Sequence, residues 1–141
     1  MSEPGSGRDA IVYRIAPFPS DAELDALWRT AWGGPLGRSY QPVLDRSLTH
    51  AGAYSGDRLV GFVNLAWDGG IHAFILDTCT DPAFRHRRIA RDLVRRVVDV
   101  AHQRGIEWVH VDYEPALEPF YRACGFRPSA AGVMRLQPPR R

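Results

Sequence analysis

Residues 85 to 91 read Arg-His-Arg-Arg-Ile-Ala-Arg, a concentration of positive charge that asks for an anion. Nucleic acid, a solvated helix face and the phosphates of a small cofactor are the three uses open to it. Arginine's planar fork of donors suits phosphate oxygens. Downstream, Trp108-Val109-His110-Val111-Asp112 sets an imidazole and a carboxylate two residues apart, on one face if the stretch is a strand. Either group could accept a proton from a reacting group. His72 supplies another imidazole earlier in the chain. Tyr121, with Phe120 and Phe126 close by, reads on its own as aromatic packing.

The cysteines offer less. Cys79 and Cys124 belong to no C-x-x-C or Cys/His cluster, which argues against a disulfide framework and a zinc site, so no metal is expected. Two isolated thiols fit a reducing cytoplasm. A net charge of +2 is too small to mark the whole chain as a nucleic-acid binder. All 18 basic residues are arginine, so no lysine side chain here can itself be acylated. No apolar run approaches the roughly 20 residues of a membrane span. The first ten residues lack the charged-then-apolar pattern of a signal peptide and read as a disordered tail. The 141 residues suit one domain, over 11–136, with 137–141 as a C-terminal tail.

The elements that must position these side chains follow from periodicity. Residues 11–18 alternate as a strand. Ser20 and Glu23 then form a capping-box signature for a helix that Gly33-Gly34-Pro35 stops. A short helix is expected around 41–50. Hairpin chemistry at Gly56-Asp57 and Asp68-Gly69-Gly70 separates 52–55, 58–67 and 71–80 into an antiparallel meander. From Ile89 to Ala101 apolar residues recur at three- and four-residue spacing, an amphipathic helix ending at Gly105. Residues 107–113 read as a strand, 114–124 as a helix, and 126–129 with 132–137 as a last strand pair. The order β-α-α-β-β-β-α-β-α-β-β predicts a mixed α/β sheet of about six or seven strands with helices on both faces.

In this order, residues 77–96, 105–113 and 120–126 resemble the core of the GNAT-type N-acetyltransferases. There a turn of pattern [QR]-x-x-G-x-[GA] opens the long helix and its backbone amides hold the pyrophosphate of acetyl-CoA. Here the pattern falls on Arg85, His86, Arg87, Arg88, Ile89 and Ala90, with Arg91 following, and a later Y-x-x-x-G-F matches Tyr121, Gly125 and Phe126. A helix N-terminus carries unpaired N–H groups and about half a positive charge, which is why it receives phosphate. Arg88 departs from the pattern, which usually has glycine at that place. Its side chain either swings outward and adds a charge-assisted contact or crowds the cofactor.

The resemblance implies acetyl-CoA as cofactor, with CoA as product, and an acceptor that is a small-molecule or peptide amine. It carries the thiolate-protonating tyrosine onto Tyr121 and assigns Thr78, Cys79 and Thr80 to the pantetheine arm. Asp112 and His110 become candidate proton acceptors on the strand bordering the acceptor. Trp32, His72 and Glu114 become candidate acceptor contacts, whereas Trp28 falls in the apolar stripe of its helix. Asp77 is a further carboxylate, but strand alternation sets it opposite His72, Phe74 and Leu76. A homodimer is a further implication. Two alternatives stand beside this reading: a CoA-binding protein of the same fold without turnover, and a nucleic-acid module using the arginine-rich helix. Interleaved Asp92 and Asp99 argue against the latter.

Overall fold

The computed structural model describes residues 10–138. The expected tail residues 1–9, and 139–141 of the C-terminal tail, lie outside them. Five strands form one mixed sheet in the order of the chain: β1 (Ile11–Ile15), β2 (Thr49–Ser55), β3 (Arg58–Trp67), β4 (His72–Thr80) and β5 (Trp108–His110). The first four are antiparallel, and β5 joins β4 in parallel. That parallel step requires a crossover, and α3 (Ile89–Gln103) supplies it.

Two helices lie on the opposite face. The first, α1 (Asp21–Trp32), starts as predicted: the Ser20 hydroxyl accepts from the Glu23 N–H at 3.1 Å and the Glu23 carboxylate accepts from the Ser20 N–H at 3.0 Å. Gly33 then takes the left-handed conformation (φ 78°) that ends it. The second, α2 (Gln41–Arg46), is shorter than the sequence suggested, because β2 begins at Thr49 and claims the end of the stretch. Leu24, Leu27, Trp28, Tyr40 and Leu44 pack with Phe62 and Cys79 on this side. Ile89, Leu93, Val94 and Val97 of α3 pack on Val60, Val63 and Ile75 on the other.

Gly61 lets α3 sit that close. A Cβ there would lie 2.7 Å from Ile89 Cγ2 and 3.1 Å from Leu93 Cδ1, in the first two turns of the helix. Gly61→Val is therefore expected to cost about 1–3 kcal/mol through overpacking. Urea unfolding measures this, and wild-type stability in the variant would mean that α3 moves without penalty.

The strand count is lower than expected. Residues 126–138 form neither the 126–129 nor the 132–137 strand. Met134 and Leu136 alternate with Arg135 and Gln137 but are 82 and 80% exposed, as is Val133 at 83%. Only three residues of 107–113 pair as β5, and 114–124 divides into a 3-10 turn (Pro115–Leu117) and α4 (Glu118–Ala123). β propensity needs a partner strand, and so short a β5 offers little edge to join. No helix among the described residues is long and apolar enough to cross a membrane.

Candidate active site

β4 and β5 pair only over His72–Phe74 and Trp108–His110. Beyond that pairing both chains line a cavity of about 520 Å³. Leu76, Asp77 and Thr78 come from one strand, and Asp112, Tyr113 and Glu114 from the chain after the other. Trp32 at the end of α1 and Tyr121 of α4 complete the opposing walls.

The β4 side is shaped by a bulge. Phe62 pairs with Cys79 and Asn64 with Leu76, so Asp77 and Thr78 together oppose Val63. Asp77 has φ +58°, a left-handed conformation that a non-glycine residue adopts at a cost of roughly 1–3 kcal/mol. The turn brings its carboxylate to the Tyr40 hydroxyl, which donates to Asp77 Oδ2 at 2.6 Å. Tyr40 is buried among Trp28 and Phe62, and burial together with the Asp77 charge raises its phenol far above 10. It therefore remains a donor. Alternation had set Asp77 away from the α1–α2 face; the extra residue in β4 reverses that.

Tyr121 is buried, stacked on Tyr113 with ring centroids 5.0 Å apart, and met edge-on by Phe120 and Phe126. Burial raises its phenol above 10, partly opposed by the neighbouring Thr78 hydroxyl. That neighbour stops short of a bond, since Thr78 Oγ1 and Thr80 Oγ1 are buried without a hydrogen-bond partner. Cys79 points to the other side, into the α1–α2 core, where burial pushes its thiol up to about 12. It is no nucleophile at neutral pH.

Asp112 and Glu114 are exposed on the cavity wall, and Glu114 begins the 3-10 turn. His110 and His72 do not line the cavity. They lie just before the strands part, where His72 Nδ1 meets His110 Nε2 at 2.8 Å and His110 stacks on Phe74 at 4.8 Å. Trp32 is half exposed and packs edge-on against buried Trp28 at 4.7 Å.

The basic turn lies at the far end of β4. Asp81, nearly fully buried, takes an ion pair from Arg58 and accepts the Ala83 N–H, fixing a short 3-10 turn (Pro82–Phe84). His86 (φ 68°) and Arg88 (φ 60°, ψ 22°) are both left-handed. Arg88 thus keeps the backbone shape that glycine allows most easily, and its exposed side chain makes no cap bond. The first-turn N–H groups from Ile89, Ala90 and Arg91 consequently have no side-chain cap. Arg85 precedes them in extended conformation, and the Arg87 guanidinium lies over the Phe84 ring at 5.5 Å.

A left-handed residue opening an uncapped crossover helix, beside two parted parallel strands, is a specific combination. A family model for the acetyltransferase (GNAT) family matches residues 14–126. The chain belongs to that family. Among curated proteins it is 28% identical over 109 residues to an uncharacterized N-acetyltransferase of Prochlorococcus marinus described as ycf52-like. The match covers 74% of this chain but only 61% of that relative's length. A Deinococcus radiodurans R1 protein assigned as an acetyltransferase superposes with a TM-score of 0.77 at 23% identity, over 96% of this chain and 94% of the other. Aminoglycoside N-acetyltransferase AAC(6')-Iy, solved in complex with CoA, gives 0.71 at 16% identity, over 97 and 99%. Both likenesses are of fold.

Proposed function

We propose that the protein transfers an acetyl group from acetyl-CoA to the primary amine of a small molecule or peptide. The observation that carries this reading is the gap between β4 and β5, with the Tyr121 phenol on one wall and three carboxylates on the others. Acetyl-CoA supplies the activated acyl group. The residues present fit that cofactor: uncapped N–H groups of Ile89, Ala90 and Arg91 for its pyrophosphate, and the unpartnered Thr78 and Thr80 hydroxyls on the strand beside its arm.

A primary amine of pKa about 10.4 is only about 0.1% neutral at pH 7.4, a handicap of roughly 4 kcal/mol. Asp77, Asp112 and Glu114 give the cavity a negative field that gathers the acceptor as its ammonium. Asp77, held by Tyr40, is the most fixed of the three and is the group that orients the amine and relays its surplus proton outward. Asp112 faces the same space from the opposite chain and shares that task. Tyr121 returns a proton to the departing sulfur. Meanwhile Arg96 of α3 folds over the Tyr13 ring at 3.9 Å, which takes one arginine of the helix out of the stripe that nucleic acid would require.

Thiol release from acetyl-CoA across a panel of primary amines tests the reading, alongside calorimetric titration with acetyl-CoA. No calorimetric response at millimolar concentration would sink it, and binding without turnover on any amine would leave a CoA-binding protein. Arg88→Gly separates backbone from side-chain recognition. If the amides hold the phosphates, affinity changes by less than about fivefold, because one exposed charge contributes about 1 kcal/mol or less. A tenfold loss would make the Arg88 side chain the principal contact.

A further inference from the structure

The face of β4 and β5 that α1 leaves uncovered is unusual among the described residues. Phe74 and Leu76 alternate onto it and are 37 and 40% exposed, with Trp108 beside them at 49%. His110 stacks on Phe74 with rings inclined by 20°, and the His72–His110 contact at 2.8 Å pins that imidazole in place. Flat, and with the His110 ring held by His72, this surface costs little entropy to cover. Leu76 belongs both to this face and to the cavity wall, so the two surfaces are continuous.

We propose that Leu76, Phe74 and His110 form a subsite for a planar aromatic group carried by the acceptor amine, with its ammonium at the carboxylates of the cavity. This rests on the transferase reading above. At a strand rise of about 3.3 Å per residue, Phe74 lies about 7 Å from Leu76 and about 10 Å from Asp77 along β4. The acceptor therefore carries its ring about 7–10 Å from the reacting nitrogen, the spacing of an extended arylalkylamine or of a peptide amine followed by an aromatic second residue. A ring is favoured over an aliphatic chain because offset and edge-on ring contacts add to simple area burial.

Two matched pairs test this: 4-phenylbutylamine against hexylamine, and Gly-Phe amide against Gly-Ala amide. The aromatic member of at least one pair is expected to lead in kcat/KM by about 3- to 10-fold, mainly through KM, the size of one ring contact. Which pair leads identifies a small-molecule or a peptide acceptor. Phe74→Ala should abolish the preference and Phe74→Tyr retain it. Equal kcat/KM within both pairs, or a preference indifferent to Phe74→Ala, overturns the subsite while leaving the transferase intact. If no amine is acetylated, the transferase reading fails, and tryptophan fluorescence titration with 4-phenylbutylamine still decides the subsite. Saturable binding weakened by Phe74→Ala upholds it; no saturable binding overturns it. Concentration-dependent dimerisation lost in Phe74→Ala also overturns it, assigning the face to a second copy.

Discussion

Tyr121→Phe is expected to lower kcat by about 10²-fold with the protein still folded, the lower end of what a positioned acid contributes. The substitution removes one oxygen and keeps the ring, so the stacking on Tyr113 and the edges of Phe120 and Phe126 survive. Burial raises the phenol above 10, which keeps it protonated throughout the neutral range. The same shift makes it a weaker acid, and that is why the smaller factor is expected. An acid limb is lost only when the acid deprotonates, so kcat of the wild type should show no alkaline fall from this group until above about pH 10. Steady-state kinetics with pH profiles measures both features. Undiminished turnover in the variant removes Tyr121 as the acid.

Acidification is expected to cost the fold about 3 kcal/mol through one histidine. His50 is 1% exposed, and its Nε2 accepts the Phe18 N–H at 2.9 Å, so the ring is neutral with its proton on Nδ1. Phe18 also packs edge-on against the ring at 4.7 Å, and the His50 carbonyl accepts the Ala16 N–H at 2.8 Å. Together these contacts anchor the link from β1 to α1. Burial lowers the imidazole pKa from 6.5 to about 4. Between those values the unfolded chain binds a proton that the native chain refuses, so stability is full above pH 6.5 and falls as pH drops toward 4. At about 1.4 kcal/mol per unit, the difference of about 2.5 units gives the figure above. Urea unfolding from pH 7 to 4 for wild type and His50→Gln isolates the contribution. Parallel stability curves would show that His50 carries none of it.

Local signals were legible wherever a residue's neighbours decide its shape. The Ser20–Glu23 box, the hairpin turns and the α3 stripe all depend on spacings of a few residues, and the structure has each of them. The candidate site was legible only in part. Tyr121 and the basic turn stand out through motif spacing. The Tyr40–Asp77 bond spans 37 residues and depends on a bulge, and alternation assumes that no bulge exists. A left-handed φ at a non-glycine residue such as Asp77 marks the bulge, but only coordinates display it. The missing last strands failed for a related reason: an alternating pattern states what a strand would bury, not whether a partner edge exists to receive it.

The bulge has one more consequence. Regular alternation would set Leu76 and Cys79, three residues apart, on opposite faces; with Asp77 and Thr78 together against Val63, they oppose Asn64 and Phe62, which are two apart and share one face. Substituting Asp77 changes which charge enters the cavity; deleting it would set Thr78 alone against Val63, restoring regular pairing with both flanks on their present faces but removing the carboxylate that Tyr40 holds. The carboxylate on the β4 side of the cavity is thus presented by two residues facing one across the β3–β4 ladder, a geometry that a change of length at this point would erase.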